Sequence, residues 1–127
     1  MDRVTQDPGG DLEWLGHGLA FAYRLRLIRK HRGLTQEQLA HQSGVHRNTV
    51  SNLERNVSRD DGCADPHLST VFALARTLRV PPALLIPEVD ALVQRRSRET
   101  ADDLAWSAVE VDISRRLSSG HGAGPAR

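Results

Sequence analysis

The chain has a single cysteine, Cys63, among its 127 residues. No intrachain disulfide can form, which excludes the cross-linked scaffold of a small secreted protein. Aromatic residues are also scarce, at 4%, so a core must be assembled from Leu, Val and Ala. No apolar run approaches the roughly 20 residues that cross a bilayer. The opening MDRVTQDPGG carries no apolar signal core. A soluble, cytoplasmic protein without a membrane partner is expected. Net charge is nearly absent as well, at a formal +1, so bulk electrostatics do not announce a nucleic-acid partner. There is no P-loop, GxSxG, HExxH or CxxC. Cys63 and His67, with His41 and His46 elsewhere, make no matched ligand set. No catalytic activity, metal or cofactor is expected.

What the chain does have is uneven charge and helical periodicity. Arg24, Arg26, Arg29, Lys30, His31 and Arg32 form a basic block, and Arg47, Arg55 and Arg59 follow. Acids gather near the start, in Asp60, Asp61 and Asp65, and in the last third. A locally basic face on a near-neutral protein is compatible with DNA binding. Leu12, Leu15, Leu19, Ala22, Leu25 and Ile28 recur near helical spacing. They predict a helix over 12–31, capped by Asp11 and ended by Gly33, with Gly16 and Gly18 each weakening it by about 1 kcal/mol. A later helix is predicted over 66–78, with Leu68, Val71, Leu74, Ala75 and Leu78 facing the core. Pro81 and Pro82 then open a short helix through Leu85.

The most informative stretch is TQEQLAHQSGVHRNTVSNLER, from Thr35 to Arg55. Thr35 and Gln38 have capping-box spacing. Ser43-Gly44-Val45 breaks the pattern, and Gly44 can take the left-handed conformation of a sharp turn. Val50 and Leu53 anchor a second short helix whose other positions are polar: His46, Arg47, Asn48, Thr49, Ser51 and Asn52. A short helix with two apolar anchors and many donors suits the DNA major groove.

Ala40, Gly44, Val45, Val50 and Leu53 at these spacings resemble the helix-turn-helix of the lambda repressor/Cro-like family, also called the xenobiotic-response-element family. LIRKHRGLTQEQLA (Leu27 to Ala40) and LSTVFALARTLRV (Leu68 to Val80) are similar to that family's flanking helices. The resemblance spans about Leu25 to Leu85. It implies an all-α, five-helix DNA-binding domain; with the helix predicted from residue 12 this is expected over 12–87, and the polar, Gly-containing ends are expected to be flexible over 1–11 and disordered over 119–127. It also implies that the third helix reads DNA. Arg47, Asn48, Thr49 and Asn52 are the expected base-reading residues, since Arg pairs with guanine edges and Asn with adenine edges. Gln36 is expected to hold a backbone phosphate at a helix N-terminus. Arg55 and the basic residues of the first helix would add to it. His46, where the family more often has Ser or Thr, either binds phosphate or caps poorly. Arg29 and Glu54 match the family's partly buried ion pair. Asn56 stands where Gly is usual, and the connector 56–66 is longer than usual.

Beyond Pro87 the resemblance ends. Val109 to Ile113 alternates like a strand, but Ala, Leu, Glu and Arg surround it and favour a helical extension over 88–118. Trp106, Val109, Ile113 and Leu117 fall on one stripe, with Leu104, Ala108 and Val111 on an adjacent one. The stripe has no place in the five-helix unit. It is expected to make a homodimer, or else to fold back over Leu12, Leu15 and Leu19. The whole reads as a dimeric transcriptional regulator on a double-stranded operator. An antitoxin, a restriction-modification controller, or an interaction module that has lost DNA binding are the alternatives. Nothing in the sequence names an effector.

Overall fold

A computed structural model of the protein describes residues 11–57, 62–100 and 103–118. The ends expected to be loose (1–10 and 119–127), together with Arg59, Asp60 and Asp61, lie outside the described residues. The described part is all-α: α1 Trp14–His31, α2 Gln36–Ser43, α3 Arg47–Arg55, α4 Leu68–Leu78, α5 Pro82–Leu85, a 3-10 turn Arg98–Thr100, and α6 Asp103–Ser118.

Local chemistry sets the boundaries of the central helices. Thr35 Oγ1 accepts from the Gln38 amide at 3.0 Å, and Gln38 Oε1 accepts from the Thr35 amide at 2.9 Å, closing the capping box. Gly44 turns left-handed at φ 75°. It sends its own amide and that of Val45 back to His41 and Ala40. Asn56 ends α3 in the same conformation at φ 55°. Asn tolerates that region better than most residues with a Cβ. α1 starts at Trp14 with Glu13 as N-cap, two residues later than expected, and α4 starts at Leu68 rather than Pro66.

One apolar core joins all six helices. Leu25, Ile28, Leu39, Leu74, Leu78, Leu85, Val50 and Ile113 are its largest fully buried members. α2 packs on α3 and α4, and α1 on α3 and α5. Leu68 departs from expectation: it precedes Val71, the first residue of α4 to reach the core, and is 67% exposed.

The extension brings the larger correction. Val109, Ile113 and Leu117 are buried in this same core, and the Trp106 ring lies 4.4 Å from that of Tyr23 on α1. The expected dimer stripe is thus covered by its own chain, as a helix and not a strand. Val111, on the adjacent stripe, is exposed. The segment does fold back against α1, as the alternative expected, but it does not cover the leucines named for that contact. Leu12, Leu15 and Leu19 are 53%, 57% and 40% exposed. α1 buries His17, Gly18, Phe21 and Ala22 instead. The reason lies in the glycines. A Cβ on Gly18 would sit 2.4 Å from Asn56 Oδ1, and one on Gly16 would sit 3.1 Å from Thr100 Oγ1. The bare Gly18 face admits Asn56 and the bare Gly16 face admits the 3-10 turn; the two faces lie about 200° apart on α1, and Leu12, Leu15 and Leu19 fall between them on the open side.

Polar links complete the attachment. Arg24 donates from Nε and Nη2 to Glu99 at 2.9 and 2.8 Å, and from Nη1 to the Leu84 carbonyl at 2.9 Å. The Glu13 amide donates to the Arg95 carbonyl at 2.8 Å. Among the described residues no helix is long and apolar enough to cross a membrane.

Candidate nucleic-acid interface

α3 buries one side only. Val50 and Leu53 enter the core, and Glu54 beside them is buried. At 100° per residue, Asn48, Ser51, Asn52 and Arg55 fall on the opposite side, and Arg47 and Thr49 flank them. Arg47, Asn48 and Arg55 are exposed; Thr49, Ser51 and Asn52 are half-buried.

A buried carboxylate fixes how this helix is held. Arg29 grips Glu54 with two bonds, Nε to Oε2 at 2.6 Å and Nη2 to Oε1 at 2.9 Å. A third donor on Arg29, Nη1, reaches the Leu34 carbonyl at 2.8 Å. Gln36 Nε2 also donates to Glu54 Oε1, at 3.0 Å. One carboxylate therefore ties α1, the start of α2 and the end of α3 together, and Arg29 adds the α1–α2 turn through Leu34. Bidentate, charge-assisted bonds of this kind are directional, so the angle of α3 relative to α2 is well defined.

The same network orients Gln36. A carboxylate can only accept, so the Gln36 amide nitrogen must face Glu54, and its second N–H stays available. The amides of Gln36 and Glu37 open α2 without intrahelical acceptors, while the Gln38 amide is taken by Thr35. Glu37 contributes a negative charge in that turn. At α3, His46 is the N-cap and its side chain makes no capping bond. Its carbonyl accepts from Thr49 at 2.9 Å.

Asn52 and Arg55 are joined: Arg55 Nη2 donates to Asn52 Oδ1 at 3.0 Å. Their i, i+3 spacing was the visible signal. Thr49 is drawn elsewhere. With Asn52, Val57, Asp65, His67 and Thr70 it lines a cleft of about 280 Å³ between α3 and the connector to α4.

The basic block of α1 does not form a face. Arg24 is bound to Glu99 and Arg29 to Glu54. Arg32 caps α4 by donating to the Leu78 carbonyl at 2.8 Å. Arg26, Lys30 and His31 remain exposed.

A helix-turn-helix family model matches residues 25–85, the span from mid-α1 to the end of α5. A hypothetical transcription factor from Neisseria, NHTF, is 31% identical over 65% of this chain and 86% of its own, with a TM-score of 0.50. The chain belongs to the lambda repressor/Cro-like helix-turn-helix family. The restriction-modification controller protein C.AhdI from Aeromonas hydrophila is 35% identical over 54% of this chain and 96% of its own, at a TM-score of 0.48. The complex of SinR and SinI proteins is 23% identical over 79% and 81%, at 0.49. No curated protein matches. In this helix-turn-helix protein the first half of α1 and all of α6 lie outside the family span, and both pack onto it.

Proposed function

We propose that this protein is a transcriptional regulator that binds a specific double-stranded DNA operator as a homodimer. The reading rests on one observation. The polar side of α3 carries Arg47, Asn48, Asn52 and Arg55 to the surface, while Glu54 on its inner side locks the helix to Arg29 and Gln36. That is a stiff mount for a reading helix, and rigid placement is what base recognition needs.

Arg47 and Asn48 contact base edges from the first turn of α3. Asn52 follows one turn on. Its Oδ1 keeps a second lone pair while bonded to Arg55, so it can still accept from an adenine amine. Thr49, half-buried at the cleft, contributes from the margin. Gln36, with its free N–H and the opening amides of α2, holds a phosphate. Arg55 and the uncapped start of α3 at His46 hold others. Phosphates position and bases specify. Two copies on a near-palindromic site would place their α3 helices about one turn of DNA apart.

Replacing single side chains separates the roles. Arg47→Ala is expected to weaken binding by about 1–3 kcal/mol and relax preference at one base pair per half-site. Arg55→Ala should weaken all sequences alike and flatten the salt dependence. An Arg47→Ala protein with unaltered sequence preference would remove α3 as the reader.

A further inference from the structure

Two helices end at the same place on this molecule, and both ends are arginine. Arg32 is the C-cap of α1 and Arg79 that of α4. Between them and α6 lies a cavity of about 340 Å³. Its apolar lining comes from Val80, Leu84 and Leu117. Its charged lining is Arg32, Arg76, Arg79 and Arg116, and no acidic residue among the described residues lines it.

Some of this positive charge is already answered. Arg116 pairs with Asp112 at 3.1 Å. Arg32 donates to the carbonyls of Leu78 and Arg79. The C-terminal ends of α1 and α4 contribute together about one negative charge equivalent. Against that stand the full charges of Arg32, Arg76 and Arg79. Arg76 and Arg79 make no side-chain hydrogen bond or ion pair among the described residues. Burial lowers the pKa of Arg32 from the usual arginine value, and repulsion from Arg79 lowers it further.

An anion in this cavity would relieve that repulsion. An inorganic ion would leave the apolar lining unused, whereas a small molecule with a charged head and an apolar body would use both parts. The size falls in the range of small-molecule sites, which are mostly apolar with a few placed polar groups. Guanidinium groups suit carboxylates and phosphates because their N–H pairs match both geometries.

We propose that the cavity between α4, α5 and α6 is a binding site for a small amphipathic organic anion, a carboxylate or phosphate ester, held by Arg76 and Arg79. Arg32 and Arg116 complete the basic rim, and Val80, Leu84 and Leu117 take the apolar body. The site contains none of the residues assigned to DNA reading, so it stands or falls separately from that reading.

The test is a titration of the full chain, followed by nuclear magnetic resonance shifts and by melting temperature. The probes are hexyl phosphate, hexanoate, hexanol and inorganic phosphate. Saturable binding of hexyl phosphate or hexanoate is expected, with shifts centred on Val80, Leu84 and Leu117; which of the two binds tighter identifies the head group. Arg76→Gln with Arg79→Gln should weaken it at least tenfold. Arg76→Gln alone, which leaves the left-handed Arg79 backbone untouched, should weaken it in the same direction. Arg26→Gln, an equal charge change at an exposed site elsewhere, should leave it within twofold. No saturable binding by either amphipathic anion would overturn the proposal. So would equal binding of hexanol or inorganic phosphate, or unchanged affinity in the Arg76 variants. If those variants lose affinity for a DNA duplex while no small anion binds, the arginines serve the DNA backbone and the proposal is likewise overturned.

Discussion

A carboxylate buried as deeply as Glu54 is tolerated because three donors from two residues converge on it. Removing either charged partner strands the other. Arg29→Ala and Glu54→Ala are each expected to cost roughly 3 kcal/mol of stability, measured by denaturant unfolding. The double variant should lose less than the sum, because the second removal strands nothing; strictly additive losses would show that the pair does not interact. Glu54→Ala also frees Gln36, so its DNA affinity should fall even at a temperature where it is fully folded. Gly18 offers a test in which two effects oppose. Alanine gains about 1 kcal/mol of helix propensity. Its Cβ, however, would meet Asn56 Oδ1 at 2.4 Å, and overpacking of this kind costs about 1–3 kcal/mol. Gly18→Ala should therefore lower the melting temperature. In an Asn56→Gly background, which keeps the left-handed cap and removes the obstacle, the same substitution should raise it.

Among the elements, α6 is the one whose role changes most between sequence and structure. Its stripe of Val109, Ile113 and Leu117 is apolar in either reading, and periodicity says only that these residues share a face. It cannot say whether that face meets its own chain or another copy. The same ambiguity hid the exposure of Leu12, Leu15 and Leu19. Six aliphatic residues at helical spacing look like one buried stripe, yet the glycines, read as weak points, mark two edges where neighbours pack closely, and Leu12, Leu15 and Leu19 lie between those edges, facing outward. Local features were legible because they depend on a few neighbours: the Thr35–Gln38 capping box, the turn at Gly44, the left-handed Asn56. Arg24 was not legible, since its partner Glu99 lies 75 positions away and the basic block around it suggested a DNA-facing surface. Truncation after Pro87 gives the element-scale prediction. It removes three buried side chains worth about 1.5–3 kcal/mol each and leaves Arg24 without its carboxylate. The loss rivals the whole stability of a typical domain. The truncated chain should be largely unfolded by far-UV circular dichroism at 25 °C; a folded, stable fragment would show that α6 is dispensable.

At the scale of the whole molecule, one core runs through the family domain and both of its additions, the start of α1 and α6. The extension is thus part of the fold that aims α3, by way of α1 and the Arg29–Glu54–Gln36 link. With the α6 stripe buried, the proposed homodimer must form through other surfaces. Sedimentation of the full chain on operator DNA should give two copies per duplex. The central claim is that this surface reads sequence and not merely charge. It is tested most directly by selecting duplexes from a random pool with the full chain. The winner then competes against a scrambled duplex of equal length and composition at physiological salt. A preference of about 10³-fold or more is predicted for the selected site. Equal affinity for both duplexes, falling together as salt rises, would contradict it.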